Sequence, residues 1–401
     1  MLKKLQTYLE APLHIAPLVT FRVLFGGMMF TSILRFILKG WVTECYVIPK
    51  FYFTYTGFSW IHPLGEIGMY VLFGGTAIAA LFIMFGLFYR LATTGFFLSF
   101  TYLELLDKTN YLNHYYFISI VAFLLIWIPA NAWMSIDVWR KPILQRESVP
   151  RWMIGTLRSQ MGLVYCFAGI AKLNSDWLFR AMPLRIWLPA NSHLPLIGGF
   201  LKLKAVAFVF SWFGAIYDLL IPFFLLMQRI RPFAYLAVIG FHAMTAMLFQ
   251  IGMFPYIMIL SSLIFFPATT HKMVWDRLRK WLNFSEKKSL APSIGPTFRG
   301  KILRYSLIIH FSIQLFLPFR YLLYPENLFW HEQGFRFSWR VMLMEKAGYA
   351  TFIVHDPETG GSSEVSNRAF LTANQEKMMA TQPDMILQFA HFLKTAFQKQ
   401  G

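Results

Sequence analysis

Ionisable and amide side chains crowd into one short stretch of a largely apolar sequence, Leu105-Leu106-Asp107-Lys108-Thr109-Asn110-Tyr111-Leu112-Asn113-His114-Tyr115-Tyr116. Such groups are costly at membrane depth, so they are the first place to look for chemistry. A lysine held in a poorly hydrated pocket has its ammonium form disfavoured. Its pKa can fall by up to about 3–5 units, which would make Lys108 a free amine base. If the preceding helix continues, Glu104 and Lys108 lie four apart on one face, and Asn113 and His114 open the next apolar segment. The competing reading is an ion pair of Lys108 with Glu104 or Asp107 at a helix end, which would raise the lysine pKa instead.

Two further sets fall in apolar segments. Gln160, Tyr165, Lys172, Asn174 and Asp176 run from one segment into the link after it, where Lys172 could simply snorkel to an interface. His242 lies well inside another segment, with Thr245 and Gln250 beyond it and Asp218 on the preceding one. At that depth it could relay protons or pack as a hydrogen-bonded core histidine. Arg22, Arg35, Glu66 and His310 read as interface anchors or buried partners. There is no Walker loop, GxGxxG, HExxH, CxxC or GxSxG pattern. The two cysteines, Cys45 and Cys166, define neither a disulfide framework nor a metal site, and no metal is expected.

These residues need elements to position them, and the composition says what kind. Of 401 residues 57% are hydrophobic, 18% aromatic and only 14% charged, too little charge to cover a water-facing surface. Apolar stretches recur over about 16–38, 65–88, 91–106, 112–130, 153–172, 203–227, 233–249, 253–268 and 302–318. The expected fold is an α-helical polytopic membrane bundle of about eight to nine transmembrane helices, with several spans short enough to be tilted or re-entrant. The net charge of +18 marks sidedness, not nucleic-acid binding. Arg140, Lys141, Arg146 and Arg151 share one loop, and Lys272, Arg277, Arg279, Lys280, Lys287, Lys288, Arg299 and Lys301 crowd another. Both loops fit the cytoplasmic side. With Lys3 and Lys4 also inside, nine spans put the N-terminus in the cytoplasm and the C-terminus outside. The first apolar run lacks a cleavage site and reads as a retained anchor. The sequon Asn283-Phe284-Ser285 falls in a cytoplasmic loop, so a bacterial inner membrane is the expected location.

Aromatic-rich residues 39–62 and proline-rich residues 173–201 read as links lying on the membrane, the second a possible part of a lid. Residues 1–318 form the expected membrane domain. Residues 319–401 form a small extracytoplasmic α+β domain, with strands at Arg336–Arg340 and Thr351–Val354, a turn at Asp356–Gly361 and an amphipathic helix over 383–399.

Three segments carry a resemblance. Residues 106–116 are similar to the LDKT...NH.Y signature of the vitamin K-dependent gamma-glutamyl carboxylase family. Val164-Tyr165-Cys166-Phe167-Ala168-Gly169 through Lys172-Leu173 and Asp176-Trp177 resembles its VY.FAG..KL..DW segment. Phe241-His242-Ala243-Met244 with Leu248-Phe249 and Ile251-Gly252-Met253-Phe254 resembles FH.M...LF.IGMF. The likeness runs from about residue 12 to near the C-terminus and includes Arg336-Phe337-Ser338-Trp339 and Asp384-Met385-Ile386-Leu387-Gln388-Phe389-Ala390-His391. It implies a membrane enzyme that oxidises vitamin K hydroquinone with O2 to the epoxide. The strong base so formed removes a proton from a glutamate γ-carbon, and CO2 adds to give γ-carboxyglutamate, with no metal. On this resemblance Lys108, His114 and His242 are catalytic, and Asp107, Asn113, Tyr165 and Lys172 line the quinol site. The implied partners are a glutamate-containing peptide or protein, membrane lipid and a quinone reductase. Family members continue into a larger extracytoplasmic domain, whereas this sequence ends at Gly401. Quinol epoxidation without carboxylation, or a membrane protein that binds quinone or lipid without turnover, are the alternatives.

Overall fold

A computed structural model describes residues 2–249, 251–281 and 300–398. Gln250, the sequon at Asn283, and Lys287, Lys288 and Arg299 of the second basic run lie outside the described residues. Helices dominate. The long ones are α1 (Ala16–Leu38), α2 (Gly65–Phe85), α3 (Tyr89–Leu105), α4 (Asn113–Trp127), α5 (Arg151–Ala171), α6 (Lys204–Leu226), α7 (Arg231–Leu248), α8 (Phe254–Ser261), α9 (Ala268–Trp281) and α10 (Gly300–Phe316). Two helices, α11 (Ala373–Met379) and α12 (Pro383–Gln398), close the chain.

Their ends follow local chemistry. Pro17 occupies the first turn of α1, where its missing N–H costs nothing. Gly86 ends α2 in the left-handed conformation (φ 63°), its N–H bonded to Ile83 O. The Arg22 guanidinium packs where a Gly86 side chain would sit, and donates to Met134 O at 2.7 Å.

Among the described residues four stretches are long and apolar enough to cross a membrane: α1, α2, α6 and residues 302–323. A fifth arises if Phe254–Phe265 and Ala268–Trp281, bent by 106°, cross together. The chain is thus an integral membrane protein. Large apolar side chains such as Ile67, Leu91 and Phe233 stay exposed on the helix surfaces, as lipid contact requires. The helices α3, α4, α5 and α7 fall short in length or hydropathy taken singly. At about 1.5 Å per residue, α4 reaches only ~22 Å of a ~30 Å hydrocarbon layer.

The expected strand at Arg336–Arg340 does not form. Phe337 and Trp339 take left-handed φ values of 61° and 59°, which break an extended run. Ring packing outweighs strand preference here: Phe337 lies against Tyr111 and Tyr116, and Trp339 stacks on Tyr116 at 4.9 Å. The strands present are short. β1 (Pro12–His14) pairs antiparallel with β2 (Ser148–Pro150), and β3 (Ile353–His355) with β4 (Ser362–Glu364) around the Asp356–Gly361 turn. The C-terminal region builds its core from Val365, Leu371, Met379, Met385, Phe389 and Leu393, and borrows Phe53 from the first link. That link therefore fastens the C-terminal helices over the end of α3.

Candidate active site

The helix that was to align Glu104 with Lys108 stops at Leu105. Asp107 turns extended (φ −148°) and caps a short 3-10 turn, Lys108–Asn110, by accepting from Thr109 N at 2.8 Å and Thr109 Oγ1 at 2.7 Å. Its other oxygen accepts from Gln375 Nε2 at 2.7 Å. Burial raises the Asp107 carboxyl to about 6, with the Thr109 and Gln375 hydrogen bonds opposing. Asp107 is thus committed to the turn, and Glu104 points elsewhere, accepting from Ser119 Oγ at 2.8 Å. Neither forms the ion pair with Lys108 that was the competing reading.

Lys108 instead donates from Nζ to Asp384 Oδ2 at 2.7 Å. Arg336 Nη1 approaches the same oxygen at 3.3 Å, and Arg336 is also hydrogen-bonded to Gln382. Burial lowers the Lys108 ammonium most; Asp384 raises it, Arg336 lowers it, and the net direction is downward. For Asp384 burial raises the carboxyl, but Arg336 and Lys108 outweigh it and hold it below its ordinary value. Lys108 is a desolvated amine whose counter-ion is shared.

Lys108 lines a cavity of about 550 Å³ together with Asn113 and His114. Asn113 is occupied by protein: Nδ2 donates to Arg340 O at 2.8 Å and Oδ1 accepts from Tyr111 Oη at 3.1 Å. It fastens the Phe337–Arg340 loop to the start of α4. His114 makes no side-chain hydrogen bond among the described residues and packs its ring 6.0 Å from Phe254, which leaves its nitrogens for a ligand.

A smaller, mostly apolar cavity of about 90 Å³ adjoins the first, and Ile251, Phe254, Val341 and Met342 wall both. Tyr165, Lys172 and His242 line it. Tyr165 Oη lies 3.3 Å from His242 Nε2, while His242 Nδ1 is buried without a partner. Phe254 packs 5.7 Å from the His242 ring, on the far side of the partition from His114. Lys172 does not snorkel. It is buried, donates to Asp218 Oδ2 at 2.6 Å and lies 5.4 Å over the Trp177 ring. Six of the seven singled-out residues line these two neighbouring cavities, whereas Asp107 lines neither and holds the turn that carries Lys108. His310 belongs to a separate chain through Gln160 and Gln314 to Tyr116.

Three contributors were missed. Asp384, Arg336 and Arg340 come from the C-terminal region; Arg336 and Asp384 lay in segments that carried the family resemblance, whereas Arg340 only ended the stretch expected as a strand.

Residues 10–269 match the model of the HTTM domain, and residues 299–401 match that of the vitamin K-dependent gamma-carboxylase lumenal domain. No solved structure matches the chain.

Proposed function

The chain belongs to the vitamin K-dependent gamma-carboxylase family, and on that premise we propose that Lys108 takes a hydroxyl proton from reduced vitamin K. The quinol is then oxidised by O2 to its epoxide with release of water. This step drives transfer of CO2 to the γ-carbon of a peptide glutamate, whose displaced proton completes the balance.

The observation that carries this reading is the environment of Lys108. An amine accepts a proton only when neutral, and burial pushes this one toward its neutral form despite the 2.7 Å contact with Asp384. Arg336 helps by drawing on the same carboxylate. The adjoining cavity offers an apolar surface against which part of the quinol would pack, with Phe210, Phe241 and Trp187 along its wall. Tyr165 and His242 supply polar edges there, and His114 faces the polar side. In this reading the helices α3, α4, α5 and α7 complete a bundle of eight or nine spans. The N-terminus is cytoplasmic, and the 319–401 region covers Lys108 from outside. A lipid-soluble quinol reaches such a site from the bilayer, and a peptide from the aqueous face.

Purified protein supplied with reduced vitamin K, labelled bicarbonate and a glutamyl peptide is expected to form epoxide and labelled γ-carboxyglutamate together. Quinone binding with neither product would overturn the enzymatic reading, and epoxide alone would remove its carboxylation half.

A further inference from the structure

We propose that Arg340, assisted by Arg35, receives the side-chain carboxylate of the substrate glutamate in the cavity that Lys108 lines. The proposal rests on the carboxylase reading and adds a specificity-determining residue to it.

The cavity wall carries six cations, Arg35, Lys108, Arg336, Arg340, Lys346 and Lys377, against the carboxylates Glu332 and Glu345. Most charges on this wall have partners. Lys108 and Arg336 share Asp384, Lys346 holds Glu332 at 2.6 Å, and Glu345 accepts from Trp187 Nε1 at 2.6 Å. Arg35, Arg340 and Lys377 stand apart. Among the described residues none of the three has a carboxylate within ion-pair distance, and the Nε atoms of Arg35 and Arg340 are buried with no hydrogen-bond acceptor. Each guanidinium lies against an aromatic ring, Arg35 over Trp41 at 5.3 Å and Arg340 over Tyr321 at 4.4 Å. Tyr321 also takes a side-chain hydrogen bond from Arg340, so ring and hydroxyl hold the plane of the fork while its Nε stays unpaired.

A buried donor with nothing to donate to is unfavourable, and two of them in one cation-rich cavity call for an anion. A carboxylate can take two parallel N–H bonds from one guanidinium, which a point charge such as Lys377 cannot offer. Arg340 is also the best placed by the chain. Asn113 holds its carbonyl at 2.8 Å, one residue from His114 and five from Lys108. The glutamate carboxylate would thus be anchored on the loop that is fastened to the base. The product carries a second carboxylate on the same carbon, and Arg35 offers a second fork in the same cavity.

The test uses full-length protein in nanodiscs and a fluorescein-labelled pentapeptide with one central glutamate, compared with the same peptide carrying glutamine. Wild type is expected to bind the glutamate peptide at least roughly tenfold more tightly than the glutamine one, and Arg340→Gln to lose that preference. Arg340→Lys is expected to recover only part of it, with the steady-state peptide KM rising while kcat at saturating peptide changes less. Unaltered thermal unfolding and reduced-quinone affinity in Arg340→Gln keep a folding defect out of the result. Equal binding of the two peptides by wild type, or an undiminished preference in Arg340→Gln, overturns the assignment. If wild type carboxylates peptide yet Arg340→Gln keeps its preference, this inference fails and the carboxylase reading stands. If the preference is lost in Arg340→Gln but wild type never carboxylates, the anion site stands and the carboxylase reading fails.

Discussion

The carboxylate of Asp384 accepts a 2.7 Å hydrogen bond from the ammonium of Lys108, although 276 residues separate them. The contact joins the C-terminal helix α12 to the turn after α3, so the two regions meet at the proposed base. It also sets a pH dependence whose sign can be worked out. Asp384 raises the Lys108 pKa, and burial and Arg336 lower it. Asp384→Asn removes the raising contribution, so the free amine persists to lower pH. The ascending limb of the pH profile of epoxide formation is expected to move toward acid in this variant. An unmoved limb, or one displaced toward alkali, would show that Lys108 ionisation does not govern the step.

Lys108→Arg separates a base from a mere cation. Arginine preserves the charge and can keep the Asp384 contact, but its pKa above about 12 prevents it from accepting a quinol proton near neutrality. Both Lys108→Arg and Lys108→Ala are expected to lose about 10²–10⁴-fold in epoxide formation, measured by chromatography of the quinone products. An arginine variant as active as wild type would mean that only the positive charge matters.

The sequence was informative where cost is concentrated. Polar groups at 104–116 and at His242 stood out because an apolar chain has few reasons to keep them. The apolar helices were legible from the length of their apolar runs, and the terminal helix over 383–398 from periodicity. The partner of Lys108 was not. Glu104 and Asp107 were the obvious carboxylates by spacing, but Asp107 prefers to cap its own turn and Glu104 finds Ser119 on α4. Asp384 sits in the first turn of a helix, where an acidic residue needs no distant partner to be explained. The 336–340 loop was misread because alternation of apolar and polar residues resembles a strand. The aromatic contacts to Tyr111 and Tyr116 that fix it cannot be seen from local pattern.

Lys172 and Asp218 form a buried pair beside the apolar cavity, their side chains only 8% and 7% exposed. Removing one member leaves the other charged in a poorly solvated place, and such losses cost about 3–5 kcal/mol. Lys172→Met and Asp218→Leu are each expected to lower the unfolding midpoint sharply. The double variant Lys172→Met/Asp218→Leu should recover much of the loss, because no lone charge remains. Thermal unfolding of the four proteins in one detergent completes the cycle. If the double variant is also stable but its quinol KM is raised, Lys172 serves the ligand as well as the fold.

Gly26 on α1 lies where α2 crosses most closely. A Cβ there would meet Met84 N at 2.5 Å, Ala80 O at 2.7 Å and Met84 Cα at 2.8 Å, all backbone atoms that cannot rotate away. The neighbouring Gly27 would meet only Met84 Sδ at 3.3 Å, the flexible end of a side chain, and Gly74 would meet nothing within 4 Å. Small residues at a helix crossing let backbones approach within a membrane, where association relies on close packing. Gly26→Ala is therefore expected to cost about 1–3 kcal/mol through overpacking. Gly27→Ala should cost less, and Gly74→Ala should be neutral or stabilising by up to about 1 kcal/mol through restored helix propensity. Unfolding midpoints in one detergent check the ranking, and equal midpoints for Gly26→Ala and Gly74→Ala would refute the crossing. Because α1 also carries Arg35, displacement of this helix should raise the KM for a glutamyl peptide in Gly26→Ala and leave it unchanged in Gly74→Ala.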